Sequence, residues 1–225
     1  MTFSTSSKGR LTDRDLERFP GDSLFDRLAR AACHAGCLPR KELYEAWEVA
    51  RRVRRVFRGG RCVDLAAGHG LLAHILLILD DSSPQALVVD TTLPPSSRAL
   101  HDVLVDAWPR LAGRVVFEER SLESVALCAD DLVVSAHACG ALADLVLDRA
   151  SAAGARVAVL PCCHDLTLND AGSLSGWLDG PLAVDVMRAV RLEQRGYRVR
   201  TQTIPAEITP KNRLLLGEPA MAKSH

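Results

Sequence analysis

Cys62-Val63-Asp64-Leu65-Ala66-Ala67-Gly68-His69-Gly70, followed by Val88-Val89-Asp90, is the stretch on which the reading turns. An apolar run ends in an acid, a glycine turn follows, a helix starts, and the next apolar run ends in a second acid. Glycine lets the backbone come close to a ligand where a side chain would clash. An acid about 20 residues past such a turn can accept hydrogen bonds from ribose hydroxyls. The pattern therefore suits a cofactor that contains adenosine, with Asp64, Ala66, Gly68, Gly70 and Asp90 around it.

Outward from this stretch, short apolar runs alternate with helical patterns. Strands are predicted at Arg61–Ala66, Ala86–Asp90, Val115–Glu119, Leu132–Ala136 and Arg156–Leu160. Helices are predicted between them at Leu71–Leu79, Ser96–Leu111 and Ala141–Ala153. Such alternation implies an α/β, doubly wound, mostly parallel sheet with helices on both faces. The end of the chain differs. After a helix near Leu182–Arg195, strands at Tyr197–Ile204 and Asn212–Gly217 are joined by a link too short for a crossover helix, so they form an antiparallel hairpin. Upstream, helical stripes run over Asp22–Gly36 and Pro39–Arg58, the second ended by Gly59-Gly60. Residues 1–38 read as a polar segment, mobile to about residue 20, plus a helical extension; residues 39–225 read as the main domain.

Bulk properties narrow the classes. The 225 residues suit one sizeable domain, and 48% hydrophobic content supplies its core. Twenty-eight basic and 28 acidic residues balance, so nucleic-acid binding would rest on a local patch rather than on net charge. No apolar run approaches the roughly 18 residues of a membrane span. Seven cysteines and no signal-like leader point to a reducing cytoplasm.

The turn also reads G-x-G-x-x-A over Gly68–Ala73, so a nicotinamide reductase is one alternative. Asp64 favours S-adenosyl-L-methionine instead. An acid just before the turn attracts the ammonium of a methionine moiety and repels a pyrophosphate. The terminal hairpin points the same way, since a nicotinamide enzyme would continue with parallel units. For the adenine, Ser121 and Leu122 follow the third strand; they equally fit an N-cap and first helical turn.

Ligands of open parallel sheets sit beyond the carboxyl ends of the strands. There the chain carries Ser135-Ala136-His137-Ala138-Cys139-Gly140, then Asp144, and Pro161-Cys162-Cys163-His164-Asp165. His137 is the first candidate base and His164 the second, with Asp144 or Asp165 to orient them. Packing is the default reading of the cysteines. Adjacent cysteines rarely both bind one metal, so no metal ligand is assigned; zinc at His137, Cys139, Cys163 and His164 is the alternative.

His137-Ala138-Cys139-Gly140 through Asp144-Leu145, with Pro161-Cys162-Cys163-His164 and the closing Asn212-Arg213-Leu214-Leu215, resembles an uncommon methyltransferase group with H-x-C-G-x-x-T-D and C-C-[HY] elements. Ala143 stands where that group usually has Thr. The resemblance implies a seven-stranded Rossmann-like sheet, S-adenosyl-L-methionine beside Asp64, Asp90 and Ser135, and transfer to RNA, such as a tRNA ribose 2′-hydroxyl. It places His137, His164, Cys139 and Asp144 at the reacting end. A small-molecule methyltransferase is the runner-up and would need an enclosed apolar pocket over His137. Arg51, Arg52, Arg55 and Arg58, with Arg54 and Arg61 nearby, are the expected phosphate grip; a charged helix end is the plainer reading.

Overall fold

Four- and five-residue apolar runs, too short for helices, build the middle of a seven-stranded sheet in the computed structural model, which describes residues 4–220. The strands are β1 (Cys62–Leu65), β2 (Ala86–Asp90), β3 (Val115–Glu119), β4 (Leu132–Ser135), β5 (Arg156–Val159), β6 (Tyr197–Thr203) and β7 (Arg213–Pro219). Their order is β3-β2-β1-β4-β5-β7-β6. β1 to β5 pair in parallel, as the strand–helix alternation predicts. β7 enters antiparallel between β5 and β6, so the hairpin is present and its second strand, not its first, touches the parallel sheet. β1 and β4 are buried along their whole length, which explains why they are apolar except for Asp64 and Ser135.

Among the described residues six α-helices flank the sheet: α1 (Leu24–Ala35), α2 (Arg40–Val56), α3 (Leu71–Leu79), α4 (Ser97–Ala107), α5 (Ala141–Ala152) and α6 (Gly180–Gln194). Two cores result, one on each face. The face of α1 to α4 holds Val49, Val53, Ile75, Leu76 and Leu100; the face of α5 and α6 holds Val146, Leu147 and Leu192. Local chemistry sets the ends. The Ser23 hydroxyl accepts from the Asp26 N–H to start α1, and Gly36, at φ +63°, closes it in the left-handed region. The Asp179 carboxylate caps α6, with Pro181 in its first turn.

Two expectations change. The helix expected over Ser96–Leu111 stops at Ala107, because Pro109 lacks an N–H and disfavours helical geometry at Trp108; Pro109–Leu111 form a separate 3₁₀ turn. Of the segment up to about residue 20, read as polar and mobile, residues 1–3 lie outside the described residues, and the rest anchors Leu11 and Phe19 in the α1–α4 core around a 3₁₀ turn at Asp13–Arg18. Leu11 and Phe19 are too far apart in sequence to form a periodic stripe, so they left no signal. No helix among the described residues is long and apolar enough to cross a membrane.

Candidate active site

The turn between β1 and α3 runs through three left-handed residues: Ala66 (φ +54°), Gly68 (φ +54°) and Gly70 (φ +74°). Each has a different consequence. Ala66 carries a Cβ in a region that costs an L-residue of order 1–2 kcal/mol. A Cβ on Gly68 would meet nothing within 4 Å, so the loop presents bare backbone to open space. A Cβ on Gly70 would lie 2.8 Å from Val88 Cγ1, so this glycine seats α3 against β2.

The two acids hold this turn. Asp64 is buried, and its Oδ2 accepts from the Ala73 N–H at 3.2 Å. Burial pushes its carboxyl well above the usual carboxylate range; the Ala73 bond opposes this and the charge of Asp90 adds to it. Asp90 is half-buried, and its Oδ2 accepts from the Gly68 N–H at 2.9 Å, fixing the summit of the loop. Both carboxylates are thus held by backbone N–H groups. Above Asp64 lies a narrow cavity lined by Glu42, Ala46, Asp64, His69 and His137. His69 donates to or accepts from Ser96 Oγ at 3.0 Å, and burial lowers its pKa despite the nearby Glu42. Ser135, at the end of β4, is fully buried, and its hydroxyl has no hydrogen-bond partner. Ser121 is exposed ahead of a 3₁₀ turn (Leu122–Ser124), and Leu122 packs in the α5–α6 core. Ser121 holds the N-cap position of that turn without a side-chain cap bond, and the Leu122 side chain is committed to packing.

His137 and His164 part company. His137 is half-buried and faces the cavity over Asp64. The His164 side chain is 2% exposed and its Nε2 lies 2.7 Å from Asp185 Oδ1. Asp185 also receives Arg213 Nε at 2.7 Å and Arg188 at 3.2 Å. Arg188, 1% exposed, donates twice to Asp144 at 3.0 and 2.9 Å, and Asn169 donates to the same carboxylate at 2.7 Å. Asp144 was expected to orient a base; its partners are Arg188, Arg191 and Asn169, and neither histidine is among them. Asp165 turns to the Thr167 hydroxyl and N–H.

The alternative zinc set is not assembled, because His164 belongs to the Asp185 network. A different set is: the sulfurs of Cys139, Cys162 and Cys163 lie within 4.8 Å of one another. Lys211 Nζ stands 3.6 Å from Cys163 Sγ. The Cys163 thiol is pulled below its ordinary value by hydrogen bonding with Cys139, then Cys162 and the Lys211 charge, whereas burial pushes Cys139 and Cys162 up.

The larger cavity, about 490 Å³, is elsewhere: between α6 and the β6–β7 hairpin, lined by Pro161, Val186, Ala189, Val190, Arg213 and Leu215. The cavity that His137 faces is the narrow one over Asp64, which Ala46, Ala67, Leu71 and Leu72 line together with Glu42 and His69. The arginines of α2 are largely engaged. Arg51 and Arg52 pair with Glu48, and Arg52 also donates to the Thr203 carbonyl. Arg54 is buried on Asp80, and Arg61 pairs with Asp131. Arg58 lies near Asp80, and its carbonyl accepts from Arg156 at the start of β5, the sheet end opposite the glycine turn. Arg55 is exposed.

Strand order and hairpin define the class I methyltransferase fold, and solved structures agree. An O-methyltransferase family protein from Burkholderia thailandensis superposes with a TM-score of 0.53 at 21% identity, over 95% of this chain and 64% of its own. The S-adenosylmethionine-dependent methyltransferase SibL does so at 0.54 and 19%, over 91% and 65%. The tRNA methyltransferase TrmK of B. subtilis matches at 0.50 and 13%, over 77% and 65%. The chain thus spans just under two thirds of the length of these proteins. No protein-family profile matches the chain, and no curated protein does.

Proposed function

We propose that the protein is an S-adenosyl-L-methionine-dependent methyltransferase. One observation carries this reading: a bare, left-handed loop sits between two strand-end carboxylates that no cation neutralises in their hydrogen bonding, on this strand order. The residues fit the cofactor. Asp64 is a desolvated carboxylate that an ammonium would stabilise, Gly68 leaves room for a ligand, and Asp90 stands where ribose hydroxyls would need an acceptor. When bound, the cofactor supplies a methyl group already activated as a sulfonium. The chain must then hold the acceptor in line and take up its proton. His137 is the residue for the proton, since it alone of the two candidate histidines faces the Asp64 cavity.

For the acceptor we infer RNA, on the H-x-C-G and C-C-H elements that resemble the tRNA enzymes. Lys211, beside Cys163, is the cation at the reacting end, and Arg55 is the exposed arginine of α2; Arg213, like the remaining arginines of α2, is engaged by a carboxylate. A small-molecule acceptor is the second reading, favoured by the apolar cavity between α6 and the hairpin.

Calorimetry tests the class. S-adenosylhomocysteine should bind the full chain, Gly68→Val should abolish binding, and NAD should not bind; the reverse selectivity would overturn the reading. Radiolabelled cofactor incubated with total RNA and, separately, a metabolite extract then tests the acceptor. Label in an RNA nucleoside, lost in His137→Ala, is expected; label only in metabolites would refute RNA and leave the class intact.

A further inference from the structure

Adjacent residues in an extended chain point to opposite faces, so Cys162 and Cys163 would not be expected to share a ligand. Here they do share a side. After Val159 the chain leaves the β5 strand, and its irregular path brings the two sulfurs to 3.8 Å. Cys139 joins them from the loop after β4. It is held by an isolated parallel bridge to Cys163, and the Gly140 N–H donates to the Cys163 carbonyl at 3.1 Å. Two backbone segments, 23 or more residues apart in sequence, are thus pinned so that three thiols converge.

The dimensions suit a metal. Zinc–sulfur bonds of about 2.3 Å in a tetrahedron set the sulfurs about 3.8 Å apart. The Cys162–Cys163 separation already has that value, and no separation in the set exceeds 4.8 Å. Cys139 and Cys163 are exposed, so their side chains can close the remaining gap and an ion can reach them from solvent. Charge agrees as well. Three thiolates on a divalent ion leave one net negative charge, and the Lys211 ammonium, 3.6 Å from Cys163 Sγ, stands ready to balance it.

We propose that Cys139, Cys162 and Cys163 form a three-thiolate zinc site, with a fourth position open to solvent or substrate. Three protein ligands and one exchangeable position is the pattern of reactive rather than purely structural zinc. Soft thiolates select zinc over magnesium or calcium. The site fastens the loop after β4 to the loop after β5 and stands beside the His137 carbonyl, which lies 3.9 Å from Cys162 Sγ. It does not depend on the methyltransferase reading.

The test uses the full chain, reduced and stripped of metal, titrated with zinc against a chromophoric chelator. About one equivalent should bind. Cobalt should give the intense visible bands of a tetrahedral site and a thiolate-to-cobalt charge-transfer band. Cys163→Ser should weaken binding at least tenfold and reduce the charge-transfer band by about a third, one thiolate of three, while Cys128→Ser, at an exposed cysteine outside the set, should change neither. Circular dichroism checks that each variant is folded. Zinc binding no tighter than that of the triple serine variant, or equal loss in Cys128→Ser, would overturn the proposal. So would two of the three thiols pairing as a disulfide that, once reduced, leaves a set that takes up no metal.

Discussion

The two halves of the sheet's carboxyl edge treat their charges in opposite ways. On the β1–β2 side, Asp64 and Asp90 are held by backbone N–H groups. On the β5–β7 side, Asp144 and Asp185 are held by Arg188, Arg191, Arg213 and His164. A desolvated carboxylate without a counter-charge is costly and persists where a cationic ligand can repay it. A carboxylate already bound by guanidinium is part of the scaffold. The contrast separates the proposed binding edge from a fastening edge, although Asp64, Asp90 and Asp144 are all read from sequence as acids near a ligand.

The strongest way to break this contrast is at Arg188. Arg188→Met leaves Asp144 and Asp185 short of their shared cation in a buried setting. It should cost about 3–5 kcal/mol in urea unfolding, the range for a buried pair that loses one partner. A loss below about 1 kcal/mol would show that the fastening edge is not held by charge.

Acid gives the next largest effect, on the β1–β2 side. His74 is fully buried, with Nδ1 2.7 Å from the Gly70 carbonyl and Nε2 3.0 Å from His101, and Phe117 packs on both rings. Burial lowers its pKa from 6.5 to about 4. Because the folded value lies below the unfolded one, the unfolded chain takes the proton first. Stability is therefore full above about pH 6.5 and falls as the pH drops towards 4, by about 3 kcal/mol. Denaturant midpoints measured across that window should show the loss, and His74→Gln should flatten it.

Asp64→Asn sharpens the comparison directly. An asparagine oxygen can still accept from Ala73, while the desolvated charge is gone. The urea midpoint at pH 7 should stay or rise, and S-adenosylhomocysteine binding should weaken at least tenfold, about 1.4 kcal/mol. Asp144→Asn should do the reverse, lowering the midpoint and leaving binding within about twofold. The smallest effect is at Ala66. Ala66→Gly relieves a left-handed alanine at the cost of a more flexible unfolded chain, so thermal unfolding should show a net gain of about 1 kcal/mol or less.

Most of the sheet was legible because burial on both faces leaves short apolar runs bounded by turns, as in Cys62–Leu65 and Leu132–Ser135. The glycine turn was legible because glycine is the residue that this backbone demands. The β5 side was not. Arg188 meets Asp144 across 44 residues of chain, a distance over which spacing carries no information. His164 and His137 look alike as strand-end histidines, and only the position of Asp185 sends one of them away from the crevice. The thiol trio was hidden by the rule for extended chains, which the irregular path after Val159 evades.

The bridge between Cys139 and Cys163 has one further effect. β4 and β5 run side by side as far as the Leu160 N–H on the Ser135 carbonyl, and their continuations meet again at that bridge. His137 therefore lies in a closed eyelet of backbone, tethered fore and aft. Such a ring cannot swing like a free loop: whatever guest shifts the imidazole must drag the neighbouring arm along. Any molecule settling on one strand's tip is felt at once on the other.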